Sequence, residues 1–241
     1  VLIGDAGRNY MLGDDGDDNL SGLGGNDVLR GGAGADTMSG GDGIDWLQYT
    51  DSDAGVSINL NADLITGLQA ASGGDASDDQ IQGFENVRGS NFDDVLIGDA
   101  GRNVIYGGDG DDFLSGLSGN DVLHGGAGAD AFVFVSDTTD IANPQISGGS
   151  VTRIRDFTPD DDSILLFSSP DSTASFEILP VNIVSNATGQ AETADQFFIY
   201  NTTTGELSID YDGSGLAYEA IIFADLSPDL TLTVDNFGFG I

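Results

Sequence analysis

A glycine-led period of nine residues restricts this chain more than any other feature. From Gly4 it reads GDAGRNYML, GDDGDDNLS, GLGGNDVLR, GGAGADTMS and GGDGIDWLQ. From Gly89 the beat returns as GSNFDDVLI, GDAGRNVIY, GGDGDDFLS, GLSGNDVLH and GGAGADAFV. The shared pattern is G-G-x-G-x-D-x-U-x, with U apolar. A unit this short cannot bury a core alone, so such units must stack into a solenoid. Residues 1–36 and 95–130 also share VLIGDAGRN, DGDD, LSGL, GNDVL and GGAGAD at an offset of 94, which points to a duplicated module.

Within each unit the chemistry divides by position. Six residues form a turn in which glycines reach left-handed backbone conformations at little steric cost. Three residues form a short strand whose eighth-position side chain points inward. Those positions are Met11, Leu20, Leu29, Met38 and Leu47, then Leu96, Ile105, Leu114, Leu123 and Phe132, and every one is apolar. The turn aims backbone carbonyls inward, and the sixth-position carboxylate joins them. A set of carbonyl and carboxylate oxygens suits calcium, a hard cation that takes six to eight oxygen ligands.

The charge leads to the same ion. With 41 acidic residues against 6 Lys and Arg, the formal charge is −35. A compact chain with such an excess repels itself unless cations supply counter-charge. Nucleic acid and anionic membrane both favour basic surfaces and are therefore poor partner candidates, so no nucleic-acid partner or membrane insertion is expected. The chain contains no cysteine, which removes disulfides, thiolate catalysis and zinc–sulfur sites. No apolar run approaches the roughly 20 residues of a membrane helix.

The repeat resembles the RTX, or haemolysin-type, calcium-binding nonapeptide. The resemblance implies an all-β fold, a parallel β-roll in which two units make one coil and turns two units apart share an ion. The implied ligands are Asp18, Asp27, Asp36 and Asp45, then Asp94, Asp112, Asp121 and Asp130. Asn9 and Asn103 stand at the same place in two units, where an amide brings an oxygen but no charge, so weaker sites are expected there. Phe92 replaces the fourth glycine of another unit. Same-side pairing gives about six ions, which would bring roughly +12 and leave about −23.

Four segments are expected: a first roll block over 1–48, a β connector over 49–88, a second block over 89–133 and a β-rich cap over 134–241. The connector breaks the beat, and its run VSINLNADLITG alternates like a strand. In the last segment glycine falls and strand-like runs follow: AFVFV, SILLF, SFEIL, QFFIY, ELSIDY, AIIFA and LTLTV. VTRIRDFTPDDDSILL resembles an element that follows the roll in serralysin-type proteins. The ending from Asp235 to Ile241 resembles an uncleaved type I secretion signal. By that resemblance the chain is exported from a bacterium by a type I exporter and works outside the cell or at its surface. It starts at Val1 in mid-pattern and reads as the C-terminal part of something longer.

Little in the sequence points to catalysis. His124 is the lone histidine and sits at a variable ninth position, where a solvated surface residue is the simplest reading. Asp210, Asp212 and Ser214 follow the spacing of an EF-hand loop, but Ile221 stands where glutamate is required. No HExxH is present, and no GxGxxG has a strand–helix context. Three roles follow, in order of preference. They are a non-enzymatic calcium-folded module that supports export, a structural or adhesive surface protein that self-associates, and an accessory that contacts polysaccharide.

Overall fold

The structure, a computed structural model, describes residues 1–61, 70–136, 150–168, 183–190, 198–210 and 220–240. Among these the regular elements are β-strands and two short 3₁₀ turns, Gly74–Ala76 and Val234–Asn236. Among the described residues no helix is long and apolar enough to cross a membrane. The run SFEIL lies outside the described residues.

Within the repeats the longer strands alternate between two mostly parallel faces, while Gly24–Gly25 and Asp42–Gly43 pair in a small sheet of their own. The first face runs, in spatial order, through Tyr10–Asp15, Val28–Ala33, Trp46–Gln48, Asn86–Arg88, Val104–Asp109, Val122–Ala127 and Thr152–Ile154. It continues into Ile221–Asp225, Glu206–Ile209, Phe198–Asn201 and Ile183–Asn186, where antiparallel pairs enter. The second face is split into two sheets. One holds Leu2–Ile3, Asn19–Ser21, Thr37–Ser39 and Gln80–Gln82. The other holds Ala70–Ser72, Ser57–Asn59, Val95–Ile97, Phe113–Ser115, Ala131–Ser136, Ser163–Ser168 and Phe237–Gly240.

Register follows the repeat. Met11 pairs with Leu29, Leu29 with Leu47, Leu47 with Val87, Val87 with Ile105, and Ile105 with Leu123 on the first face. On the second face Leu96, Leu114, Phe132 and Ile164 form the matching column. All ten eighth-position side chains are buried, and they form one continuous core between the faces. A period-two strand flanked by turns leaves one inward position per unit, so a single apolar residue in nine suffices.

The connector departs from the coil only in part. Tyr49 leaves the first face, and Ser57–Asn59 with Ala70–Ser72 form an antiparallel pair that joins the second face beside Val95–Ile97. From Gly74 the chain resumes coiling: Gln80–Gln82 stacks on Thr37–Ser39, and Asn86–Arg88 sits between Trp46–Gln48 and Val104–Asp109. The first face therefore stays unbroken while the second opens to admit two strands.

At the C-terminal end, Phe237–Gly240 pairs in parallel with Ser163–Ser168, with Ile164 opposite Phe237. The run LTLTV is not a strand. Leu232 is buried, and Thr233 caps the 3₁₀ turn that redirects the chain into the last strand.

Leu114 is fully buried with Leu96 and Phe132 on either side. Replacing it by alanine is expected to lower stability by about 2–5 kcal/mol, read from urea unfolding in calcium. Val95→Thr on the outer surface of the neighbouring strand is expected to stay within about 0.5 kcal/mol of the parent.

Candidate calcium sites in the stacked turns

Six of the ten sixth-position side chains span two coils: Oδ1 of Asp27, Asp36, Asp45, Asp112, Asp121 and Asp130 accepts the backbone N–H of the sixth residue one coil earlier. Asn9 donates to Asp27 at 2.7 Å, Asp18 to Asp36 at 2.8 Å and Asp27 to Asp45 at 2.7 Å. In the second array Asp94 donates to Asp112 at 2.9 Å, Asn103 to Asp121 at 3.0 Å and Asp112 to Asp130 at 3.0 Å. Two ladders result, one along each edge of the roll.

The second oxygen is left over. Among the described residues, Oδ2 of Asp27, Asp36, Asp45, Asp112, Asp121 and Asp130 is buried with no hydrogen-bond partner. A buried carboxylate without donors is strongly disfavoured. Each of these oxygens lies against the first glycine of its own unit. A side chain at Gly22 would collide with both Asp27 Oδ2 and the carbonyl of Gly40 in the next coil. At Gly107 it would meet Asp112 Oδ2 and the Gly125 carbonyl. Carboxylate and carbonyl oxygens from adjacent coils thus converge where only glycine fits. Among the described residues no three acidic or imidazole side chains cluster. The converging set is instead one carboxylate with backbone carbonyls, a hard-oxygen environment suited to calcium. The turn that presents it needs glycine at its fourth position, as at Gly34 with φ +144° and Gly110 with φ +117°.

The other four sequence-predicted ligands sit differently. Asp18 is half-buried near the first coil and lies 3.7 Å from the N-terminal ammonium. Asp94 is buried but fully satisfied: Val56 N–H and the Ser90 hydroxyl donate to Oδ1, and Ser90 N–H donates to Oδ2. Asn9 and Asn103 belong to the two GDAGRN units, which close on themselves. The N–H groups of Asp5 and Asp99 donate to the asparagine Oδ1 atoms, both at 2.9 Å. Those aspartates in turn accept from Gly7 and Gly101, both at 2.7 Å. Asn103 also donates from Nδ2 to the Glu85 carbonyl at 2.8 Å.

Three further acids occupy the ladders outside the two arrays. Asp36 N–H donates to Asp79 Oδ1 at 2.8 Å, Asp45 N–H to Glu85 Oε2 at 2.7 Å, and Asp130 N–H to Asp162 Oδ1 at 3.0 Å. The Tyr49 hydroxyl holds Asp79 Oδ2 at 2.8 Å, and Thr158 N–H holds Asp162 Oδ2 at 2.7 Å. The signals were present in the sequence. Gly74 to Gln82 is a nonapeptide with Asp79 sixth and Ile81 eighth, followed by a shortened unit from Gly83 to Arg88. The antiparallel pair contributes Val56 at the equivalent place, which brings no oxygen. Fifth-position residues form an outer ladder of their own: Asp17, Asn26, Asp93 and Asp111 each accept the N–H of the fifth residue one coil later.

Of the remaining candidates, Asp210 is buried, while Asp212 and Ser214 lie outside the described residues. His124 stacks on Tyr106 with ring centroids 4.3 Å apart, and its Nδ1 is 3.8 Å from Asp156. No hydroxyl group hydrogen-bonds to it among the described residues.

Burial raises the carboxyl pKa values of Asp36, Asp45, Glu85, Asp94 and Asp162. Asp112 is pushed up to about 8, and Asp79, Asp121 and Asp130 to about 6, in each case chiefly by desolvation. Without metal, the folded state therefore binds protons that the unfolded chain has released. That contribution to stability is present at low pH and is lost as pH rises through about 6 to about 8. The chain in excess chelator is expected to lose β-structure on going from about pH 5 to about pH 8, followed by circular dichroism. Excess calcium is expected to abolish that loss.

Comparison with known proteins agrees with this geometry. Residues 1–28, 12–47, 88–123 and 106–134 match the RTX calcium-binding nonapeptide repeat in four copies. No curated protein sequence matches the chain. Among solved structures, the extracellular lipase LipA from Serratia marcescens aligns at 15% identity with a TM-score of 0.30. The alignment covers 98% of this chain and 39% of that one, a likeness too low to bear on function. Residues 1–47 and 88–134 are RTX calcium-binding nonapeptide repeats, and the roll they build is a calcium-binding β-roll.

Proposed function

We propose that this chain is a module that folds when it meets extracellular calcium and so supports the export of a larger protein by a type I exporter. The observation that carries the reading is the set of six buried, unpartnered Oδ2 atoms. In this reading residues 1–48 and 89–133 are the calcium blocks, 49–88 the connector and 134–241 the cap. One ion for each unpartnered oxygen gives about six. Asp27, Asp36, Asp45, Asp112, Asp121 and Asp130 are the strong ligands. Asp18, Asp94, Asn9 and Asn103 contribute less, since Asp18 is only half-buried and protein donors satisfy the oxygens of the other three.

Calcium is scarce in the cytosol and abundant outside. An ion that binds only the folded form stabilises it by mass action, by about 2.7 kcal/mol per independent site at 100-fold excess over its dissociation constant. A few such sites match the whole stability of an ordinary domain, about 5–15 kcal/mol. The chain would remain unfolded and threadable inside and would fold outside. The serralysin-like segment fits a cap: Ile154, Phe157 and Ile164 are buried, and Asp162 closes one ladder. The proposed secretion signal from Asp235 includes the last strand of the second face. The role is structural and metal-dependent, with no catalytic centre of its own.

Circular dichroism with a calcium titration, run beside magnesium at equal ionic strength, tests the reading. A cooperative coil-to-β transition with calcium alone is expected. Asp112→Asn is expected to move the midpoint to at least about 10-fold higher calcium, because it neutralises a buried ligand. Asn9→Ala is expected to move it far less. Full β-structure in chelator at neutral pH, unchanged by calcium, would overturn the folding switch.

A further inference from the structure

The outer surface of the first face is set apart from the rest of this acidic chain. The six cationic side chains are all arginine. Arg30, Arg88 and Arg153 occupy outward strand positions of the first face, Arg155 directly follows the strand Thr152–Ile154, and Arg8 and Arg102 lie in the turns that feed the face. None of the outward seventh and ninth positions on the seven strands from Tyr10–Asp15 to Thr152–Ile154 carries a carboxylate. Along the repeat the acids lie in the six turn positions, at the two edges; beyond it the same sheet carries Glu206 and Asp225 on its strands.

Among the described residues four of the six arginines, Arg8, Arg88, Arg102 and Arg155, have no carboxylate within ion-pair distance, in a chain of 41 acids. Arg30 pairs with Asp51 at 2.6 Å and Arg153 with Asp225 at 3.3 Å. Arg8 and Arg88 are exposed. They line a groove of about 210 Å³ together with Val28, Trp46, Gln48 and Tyr106. Trp46 and Tyr106 lie 5.7 Å apart between ring centroids, and the Arg88 guanidinium sits 5.0 Å from the Tyr106 ring centre. The only tryptophan of the chain is thus in this groove.

We propose that this groove binds an acidic polysaccharide, a polymer of uronate type. Ring faces take up the apolar C–H face of a sugar, the guanidiniums take a carboxylate, and the Gln48 amide takes hydroxyls. The groove crosses four strands, or three strand spacings of roughly 14 Å in all, and is open rather than enclosed. That shape fits a chain passing over it better than a small molecule sealed within. Nucleic acid fits poorly, because its dense phosphate charge would face the acidic edges on both sides. The turn calciums of the preceding section would lower that edge charge, but the ligand contacts named here come from side chains on the sheet.

The test uses the full 241-residue chain, folded in calcium, with a galacturonate hexamer too short to gel. A neutral galactose hexamer and a hexaglutamate peptide serve as comparisons. Titration calorimetry and the fluorescence of Trp46 give two readouts. The acidic sugar is expected to bind and to change the tryptophan emission, with the neutral sugar at least about 10-fold weaker. Arg88→Gln and, separately, Arg8→Gln are expected to weaken binding about 10-fold or more, while Arg153→Gln on the same face leaves it unchanged. Calcium titrations of each variant by circular dichroism report folding separately, so loss of the fold is distinguishable from loss of the groove. The proposal is overturned by absence of binding at millimolar sugar, by equal binding of hexaglutamate, or by folded Arg88 and Arg8 variants that bind as the parent does.

Discussion

A carboxylate oxygen removed from water needs a proton, a donor or a cation, and this roll removes such oxygens repeatedly. In each strong unit one aspartate oxygen is tied to the neighbouring coil by a backbone N–H. The other is aimed, without a donor, into a space walled by glycine and carbonyl oxygen. The same side chain therefore sets the stacking of coils and creates the demand for a cation. A donor in place of the cation would satisfy the oxygen but remove the demand, as Ser90 does for Asp94 and Tyr49 does for Asp79. The strong units are those in which no such donor is supplied.

The cross-section separates three kinds of chemistry that a nine-residue unit has to carry at once. Eighth positions build the core between the faces. Turns at the two edges hold most of the acids and the backbone carbonyls that converge with them. Outward seventh and ninth positions are free of both duties, and Trp46, Arg88, Tyr106 and His124 stand side by side there. Because each coil touches mainly its neighbours, these columns behave as nearly independent strips along one axis. An ion bound between two coils would act on both of them and so would couple metal binding to the propagation of the fold.

The interruption of the repeat is asymmetric. The antiparallel pair widens only the second face, and the edge ladder that contains Asp27, Asp45 and Glu85 leads on to Asn103 and Asp121 past it. On the opposite edge the ladder stops at Asp79 and begins again at Asp94, with Val56 between and no oxygen to offer. The shortened unit from Gly83 to Arg88 keeps the first face in step by making its turn in fewer residues, with Glu85 reaching as far as an aspartate in a full turn.

Periodicity alone determined the architecture, because glycine in strict register admits one kind of turn and an unfailing apolar eighth position admits one kind of core. It also determined the choice of ion, since carbonyls and carboxylates at that spacing leave few alternatives. The sequence did not reveal which of the ten sixth-position residues leave an oxygen unpartnered, because that depends on donors brought from other coils, such as Val56 and Ser90 at Asp94. Asp79 and Asp162 each stand two residues before a buried isoleucine, the spacing of a sixth-position acid, but without the full glycine pattern of the arrays. The place of Glu85 instead follows from stacking, since its unit is shortened. Arg8, Trp46, Arg88 and Tyr106 are spread over nearly a hundred residues and become one groove only when four strands lie side by side. Local pattern decides what each unit is, and the stacking of coils decides which atoms from different units meet.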